Sequence, residues 1–297
     1  MDLREGTEGD VNTELALREE PPRRSPEKKP FWKRLGPMLV GLGLLWKFKA
    51  PLIFVLSKLK FLLVGLKFLK LGKFLTTGLT MLLSMAAYAT VFGAKFAVGF
   101  VLLILIHELG HGAAMRLHGI RAGAPIFIPF MGAAIAMKDR PRDARIEAEV
   151  GIAGPIAGGI ASAACFAIGL AAQSPLFVAL AHTGFFLNLF NLLPVSPLDG
   201  GRVAAALSKW LWIVGLAIAI PFAFVSANPI LFFVIVLGSI RVWREWKTPP
   251  EEASYYVVPK KTRVAIGSLY FALAASLAIG MWASEQASTA RAVVQDF

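Results

Sequence analysis

The stretch Ile104-Leu105-Ile106-His107-Glu108-Leu109-Gly110-His111 decides how this chain is read. It sets a His-Glu-x-x-His motif inside a run apolar enough to lie in a lipid bilayer. On a helix, His107 and His111 stand one turn apart on the same face, so both imidazoles can reach one zinc ion. Glu108 lies beside them, placed to act as general base toward a water that zinc activates. Ionisable groups are costly at membrane depth, and those retained there are functional by default. The motif therefore points to metal-assisted hydrolysis within a membrane.

Outward from the motif, the chain reads as an all-α polytopic membrane protein. Its 297 residues are 56% hydrophobic and 17% charged, against roughly 25% charged in a soluble domain. Apolar runs near the ~20 residues needed to cross the hydrocarbon core fall at 76–94, 96–117, 147–172, 176–194, 203–225, 228–242 and 263–283. About six to seven transmembrane helices are expected, the sixth run being short. Residues 122–137 mix β-branched and aromatic residues with Gly123, Pro125, Pro129 and Gly132. They are too broken for a spanning helix and fit a re-entrant β-hairpin or loop beside the site.

Four regions follow. Residues 1–30 are polar and proline-bearing and read as a disordered cytoplasmic tail. Residues 31–75 alternate apolar residues with lysines such as Lys47, Lys58, Lys67 and Lys73, which suits one or two basic amphipathic helices lying in the interface on anionic lipids, the alternative being a transmembrane pair broken at Pro51. Residues 76–205 form the catalytic membrane core. Residues 206–297 add transmembrane helices and a mildly polar tail from 284.

The net charge of +12 does not point to nucleic acid, because Lys and Arg cluster beside apolar spans. That placement marks cytoplasmic loops. Loops holding Arg116 and Arg121, 138–145 and 243–262 would then be cytoplasmic, bringing 194–202 to the depth of His107 and His111. The lone Cys165 excludes an intrachain disulfide and reads as a packing residue.

A catalytic zinc site usually has three protein ligands and one open position. The spacing beyond His111 puts Leu117 where a metzincin has its third histidine. His118 lies two turns on and reads as interfacial or structural. Glu147 and Glu149 open a span, where they suit helix N-terminal stabilisation. The strongest third ligand is Asp199, in Asn191-Leu192-Leu193-Pro194-Val195-Ser196-Pro197-Leu198-Asp199-Gly200-Gly201-Arg202. Its alternative role is to cap the helix that starts near Gly200. His182 reads as a hydrogen-bonded interior histidine, and Gly151, Gly154 and Gly158 as residues for close helix packing.

Three pieces in order carry a resemblance: His107 to His111, the small-residue helix Gly151-Ile152-Ala153-Gly154-Pro155-Ile156-Ala157-Gly158, and the segment from Asn191 to Gly200. Together they resemble the site-2 protease family of intramembrane zinc metalloproteases, in a minimal form without PDZ or CBS domains. The resemblance implies a core of three helices holding one zinc per chain, with Asp199 as third ligand. It implies an active site near the cytoplasmic side, in a compact form that suits a prokaryotic plasma membrane. It gives Asn191 a part in orienting substrate or stabilising the oxyanion; by position alone Asn191 reads equally as a helix C-terminal cap. The implied activity is cleavage of transmembrane segments of membrane proteins, as in regulated intramembrane proteolysis. The alternatives are an inactive homologue that binds membrane proteins and a metal transporter. A transporter usually shows repeated halves, and no repeat is seen in this sequence.

Overall fold

Gly93, at φ 82°, divides one long apolar run into two helices, using a conformation that glycine adopts at little cost. These are α1 (Lys73–Phe92) and α2 (Ala94–Leu117). The structure is a computed structural model that describes residues 72–226, 229–247 and 254–295. The expectations for 1–30 and for 31–71 lie outside the described residues. Everything described falls in the unit Ala50–Phe297.

After α2 the chain makes the hairpin expected at 122–137. Strand β1 (Ala122–Ile128) pairs antiparallel with β2 (Gly132–Met137), with Phe127 opposite Ala133 and Ile128 opposite Gly132. The outer edge of β1 is sealed by α1: Thr77 Oγ1 donates to the Pro125 carbonyl at 2.8 Å, and the Phe127 amide donates to Thr80 Oγ1 at 3.3 Å.

Helix α3 (Ala144–Ala171) starts at Asp143, whose carboxylate accepts from the Ile146 amide at 2.8 Å. This is an ordinary N-cap. Helix α4 (Pro175–Asn191) has Pro175 in its first turn, where a missing N–H costs nothing. Then follow α5 (Asp199–Leu207), α6 (Trp210–Ser226), α7 (Pro229–Trp246) and α8 (Lys260–Gln295).

Among the described residues four helices, α1, α2, α3 and α8, are long and apolar enough to cross a membrane, while α4 and α6 are shorter apolar helices. The chain is an integral, mostly helical membrane protein with one small hairpin. Two boundaries differ from the sequence reading. The run 203–225 is two helices, because Ser208 adopts an extended conformation and its Oγ accepts from the Trp210 amide at 3.3 Å. A serine offering its oxygen to a free amide favours a new helix start over continuation. The polar tail from 284 instead continues α8 as far as Gln295, helped by Ala283, Ala287, Ala290 and Ala292.

The site rests on the mutual packing of α2, α3 and α4. Val101, Leu103 and Ile104 of α2 meet Tyr88 of α1, Phe127 of β1 and Leu180 of α4. Ala148 and Ile152 of α3 meet Ala181 and Phe185 of α4, Val203 of α5, and Tyr270 and Leu277 of α8.

Candidate metal centre and active site

His107, Glu108 and His111 all lie on the buried face of α2, at 3%, 5% and 3% exposure. The turn after α4 returns the chain so that Asp199, the first residue of α5, faces them at 8% exposure. His107 Nε2 is 3.1 Å and His111 Nε2 3.2 Å from Asp199 Oδ2, and the two Nε2 atoms are 3.1 Å apart. The rings stand 81° to one another.

The far nitrogens fix the tautomers. His111 Nδ1 is 2.7 Å from the Val150 carbonyl, which can only accept, so the proton is on Nδ1. His107 Nδ1 is 2.8 Å from Asn188 Oδ1. The Asn188 amide is oriented by its own Nδ2, which donates to the Gly184 carbonyl at 2.7 Å. His107 therefore also carries its proton on Nδ1.

With neutral rings, two Nε2 lone pairs then turn toward one carboxylate oxygen. In that state the three atoms repel one another unless a cation lies between them. The donor set fits a divalent metal ion of the nitrogen- and oxygen-binding kind, zinc included. Asp199 does not cap α5: it makes no capping hydrogen bond, and Leu198 holds the cap position. Its carboxylate is committed to the histidines.

The glycines of α3 give the close packing expected of them around the site. A Cβ on Gly154 would overlap the His111 ring at Nε2, and one on Gly158 would overlap the Asn188 carboxamide. One on Gly151 would lie 3.1 Å from Arg202 Cβ. Gly154 and Gly158 thus each vacate the volume that a particular polar side chain fills.

The cluster opens into a cavity of about 600 Å³. Glu108, Asn191 and Arg202 share its wall with residues 132–135 of β2, and Tyr88, Phe96 and Phe100 make part of the lining aromatic. Asn191 is the last residue of α4 and half-buried, placed in the wall and outside the ligand set. Arg202, one turn past Asp199, puts Nη1 3.9 Å from Asp199 Oδ1.

The other sequence candidates sit elsewhere. His118 Nε2 pairs with Glu149 Oε2 at 2.9 Å, and Glu149 also receives Arg145 Nε at 2.7 Å. Glu147 accepts from the Tyr255 hydroxyl at 2.7 Å. Both glutamates are thus tied to named partners rather than only to the helix end. His182 Nδ1 lies 3.2 Å from the Met281 carbonyl and 3.3 Å from Ser284 Oγ, joining α4 to α8 inside the bundle. Cys165 is half-buried and packs among apolar side chains. Sequence reading missed Asn188, although an amide inside an apolar span is itself a signal of function. The Val150 carbonyl leaves no signal in sequence.

Fold and site together define a helical membrane protein with a buried cluster of two histidines and one aspartate that could hold a metal ion. The same segment is recognisable by comparison: residues 95–176 match the family model described as Peptidase family M50. A zinc metalloprotease of Methanocaldococcus jannaschii is 33% identical over 122 residues, 38% of this chain and 34% of that one. Rip3 of Mycobacterium tuberculosis, named as a candidate zinc metalloprotease, is 34% identical over 129 residues, 40% of this chain and 32% of that one. The chain thus spans about a third of the length of these curated relatives. A solved site-2 protease from Methanocaldococcus jannaschii aligns over 63% of this chain and 90% of that one, with 21% identity and a TM-score of 0.39. Through this segment the chain is similar to zinc metalloproteases of the M50 peptidase family.

Proposed function

We propose that this chain is an intramembrane zinc metalloendopeptidase that cleaves transmembrane segments of membrane proteins, as in regulated intramembrane proteolysis. One observation carries the reading: two imidazole Nε2 atoms and a carboxylate oxygen converge within 3.2 Å of one another, beside a buried Glu108, in a cavity among apolar helices.

Zinc, when bound by His107, His111 and Asp199, supplies a Lewis acid that polarises the scissile carbonyl and brings the pKa of a water toward neutrality. Glu108 takes the proton of the attacking water and delivers it to the leaving amine. Val150 and Asn188 keep the two imidazoles in the tautomer that leaves Nε2 free.

A transmembrane helix hides its amides in its own hydrogen bonds, so the substrate must extend before it is cut. Strand β2 lines the cavity and offers an edge on which an extended segment can pair. The β1 edge is already taken by Thr77 and Thr80. Asn191, in the same wall, suits a part in orienting the substrate or stabilising the oxyanion.

The basic loops favour a site near the cytoplasmic side of a prokaryotic plasma membrane, with anionic lipids against the 31–75 region. An inactive homologue would have no use for a buried Glu108 beside a complete ligand set. A transporter would need polar residues along a path, whereas these converge on one point.

The test is zinc content and cleavage of a tagged single-span membrane protein by the purified chain, Glu108→Gln and Asp199→Ala. Stoichiometric zinc that survives Glu108→Gln and falls in Asp199→Ala, with cleavage by the wild type alone, supports the reading. Full zinc in Asp199→Ala removes it as a ligand. Cleavage by Glu108→Gln at the wild-type rate removes the general base.

A further inference from the structure

Arg202 is the one cavity-lining cation that the reaction described above does not use. Its side chain is 26% exposed and stands one turn past the aspartate on α5. Its ion pair among the described residues, Nη1 to Asp199 Oδ1, spans 3.9 Å, beyond the reach of a hydrogen bond. Asp199 turns its other oxygen, Oδ2, to the histidines. The guanidinium thus presents several N–H donors to the cavity with no bonded acceptor among the described residues.

Space has been made for it there. A Cβ on Gly151 would lie 3.1 Å from both the Asp199 carbonyl oxygen and Arg202 Cβ, and 3.5 Å from Arg202 Cδ, so α3 packs flush against the first turn of α5 and the arginine stem. A counter-ion for Asp199 would be expected to close to bonding distance.

We propose that Arg202 is a catalytic residue whose guanidinium donates to the scissile carbonyl oxygen and holds the negative charge that develops on it. This rests on the proteolytic reading above. The water oxygen bonds to the carbonyl carbon, its proton passes to Glu108, and the C=O π pair becomes a lone pair on the oxygen facing Arg202. When that pair returns, the C–N bond breaks; the nitrogen leaves with the bonding pair and takes the proton from Glu108. The products are a carboxyl and an amine, and Arg202 keeps its protons throughout. A cation in the cavity wall beside developing negative charge supplies electrostatic stabilisation of the transition state. Asn191 is then left to orient the substrate.

The experiment compares the purified full chain with Arg202→Ala and Arg202→Lys. It reads kcat and KM on the single-span substrate, zinc per chain, and affinity for a peptide phosphonamidate, whose tetrahedral anionic group mimics the oxyanion. For Arg202→Ala, kcat should fall by about 10²–10³, the loss typical of one oxyanion donor. KM should stay within about threefold, as for an interaction made only in the transition state. Zinc should remain at one per chain, and phosphonamidate affinity should fall in step with kcat. Arg202→Lys should lie between the two, and added guanidinium ion should restore part of the Arg202→Ala rate.

A kcat near the wild-type value in Arg202→Ala overturns the proposal. So does a kcat loss that tracks zinc loss across both variants, which would make Arg202 a support for Asp199. A zinc-loaded wild type that neither cleaves the substrate nor binds the phosphonamidate overturns the proteolytic reading and this proposal with it. Wild-type binding that persists undiminished in Arg202→Ala overturns this proposal alone.

Discussion

Gly154 on α3 lies against the Nε2 end of the His111 ring on α2, so close that a methyl group on its Cα would overlap the imidazole there. Backbone holds the glycine and a hydrogen bond to Val150 holds the ring, so neither can easily yield. Gly154→Ala should therefore drive His111 out of the cluster. Zinc affinity should fall by about 100-fold or more, at least what a lost orienting partner costs. Gly159→Ala is the control on the same helix, because its Cβ would meet only the Leu277 side-chain tip at 3.0 Å. Metal analysis of the two purified variants checks the contrast.

The Asn188 carboxamide sets the His107 tautomer through a bond of 2.8 Å. Asn188→Ala should free the ring to protonate at Nε2 and weaken zinc binding by about 10- to 100-fold. Asn188→Asp keeps an acceptor toward Nδ1 and should retain most of the affinity. Competition with a chelator of known affinity reads both.

Thr80 is buried and accepts from the Phe127 amide, with its own hydroxyl donating to the Thr76 carbonyl at 2.8 Å. Thr80→Val leaves the Phe127 amide without that acceptor. The hairpin should lose about 1–3 kcal/mol, the cost of one unsatisfied buried group. Faster hydrogen exchange at the Phe127 amide, with α3 amides unchanged, is the expected signature.

At the base of the hairpin, the Arg121 guanidinium and backbone amide both donate to the Asp139 carboxylate, at 3.0 and 2.9 Å. These bonds hold the carboxyl down at about 2. The folded value lies below the unfolded value of about 4, so the unfolded chain binds more protons between them. The contribution of the clasp is complete above about pH 4 and is lost as pH falls through about 2. A carboxyl resonance of Asp139 should titrate near pH 2 in the folded chain and return toward about 4 in Arg121→Ala. Because the pair is solvent-facing, the effect on overall stability should be small.

What could be read in advance was what obeys local rules. His107 and His111 are four residues apart, and helical spacing alone puts them on one face. The hairpin was legible because Gly and Pro break an apolar stretch that has no other use for them. Asp199 stood out from its Pro and Gly neighbours, and in the structure it makes no capping bond and turns its carboxylate to the histidines. The break at Ser208 was hidden, since the apolar run continues on both sides and only the serine's bond to Trp210 interrupts it. The bond between Asn188 and His107 joins positions 81 residues apart, and no spacing rule reaches that far. The matching of Gly154 to His111 and of Gly158 to Asn188 is likewise a property of how two helices meet.

The histidines and the aspartate lie 88 and 92 residues apart along the chain. During synthesis, α2 enters the bilayer well before the ribosome reaches Asp199. Until α5 is made and returned to the histidines, the cluster lacks its anionic member. The growing polypeptide thus carries two lone imidazoles past its own unfinished helices, and the three-residue cluster is complete only with the last piece of the core.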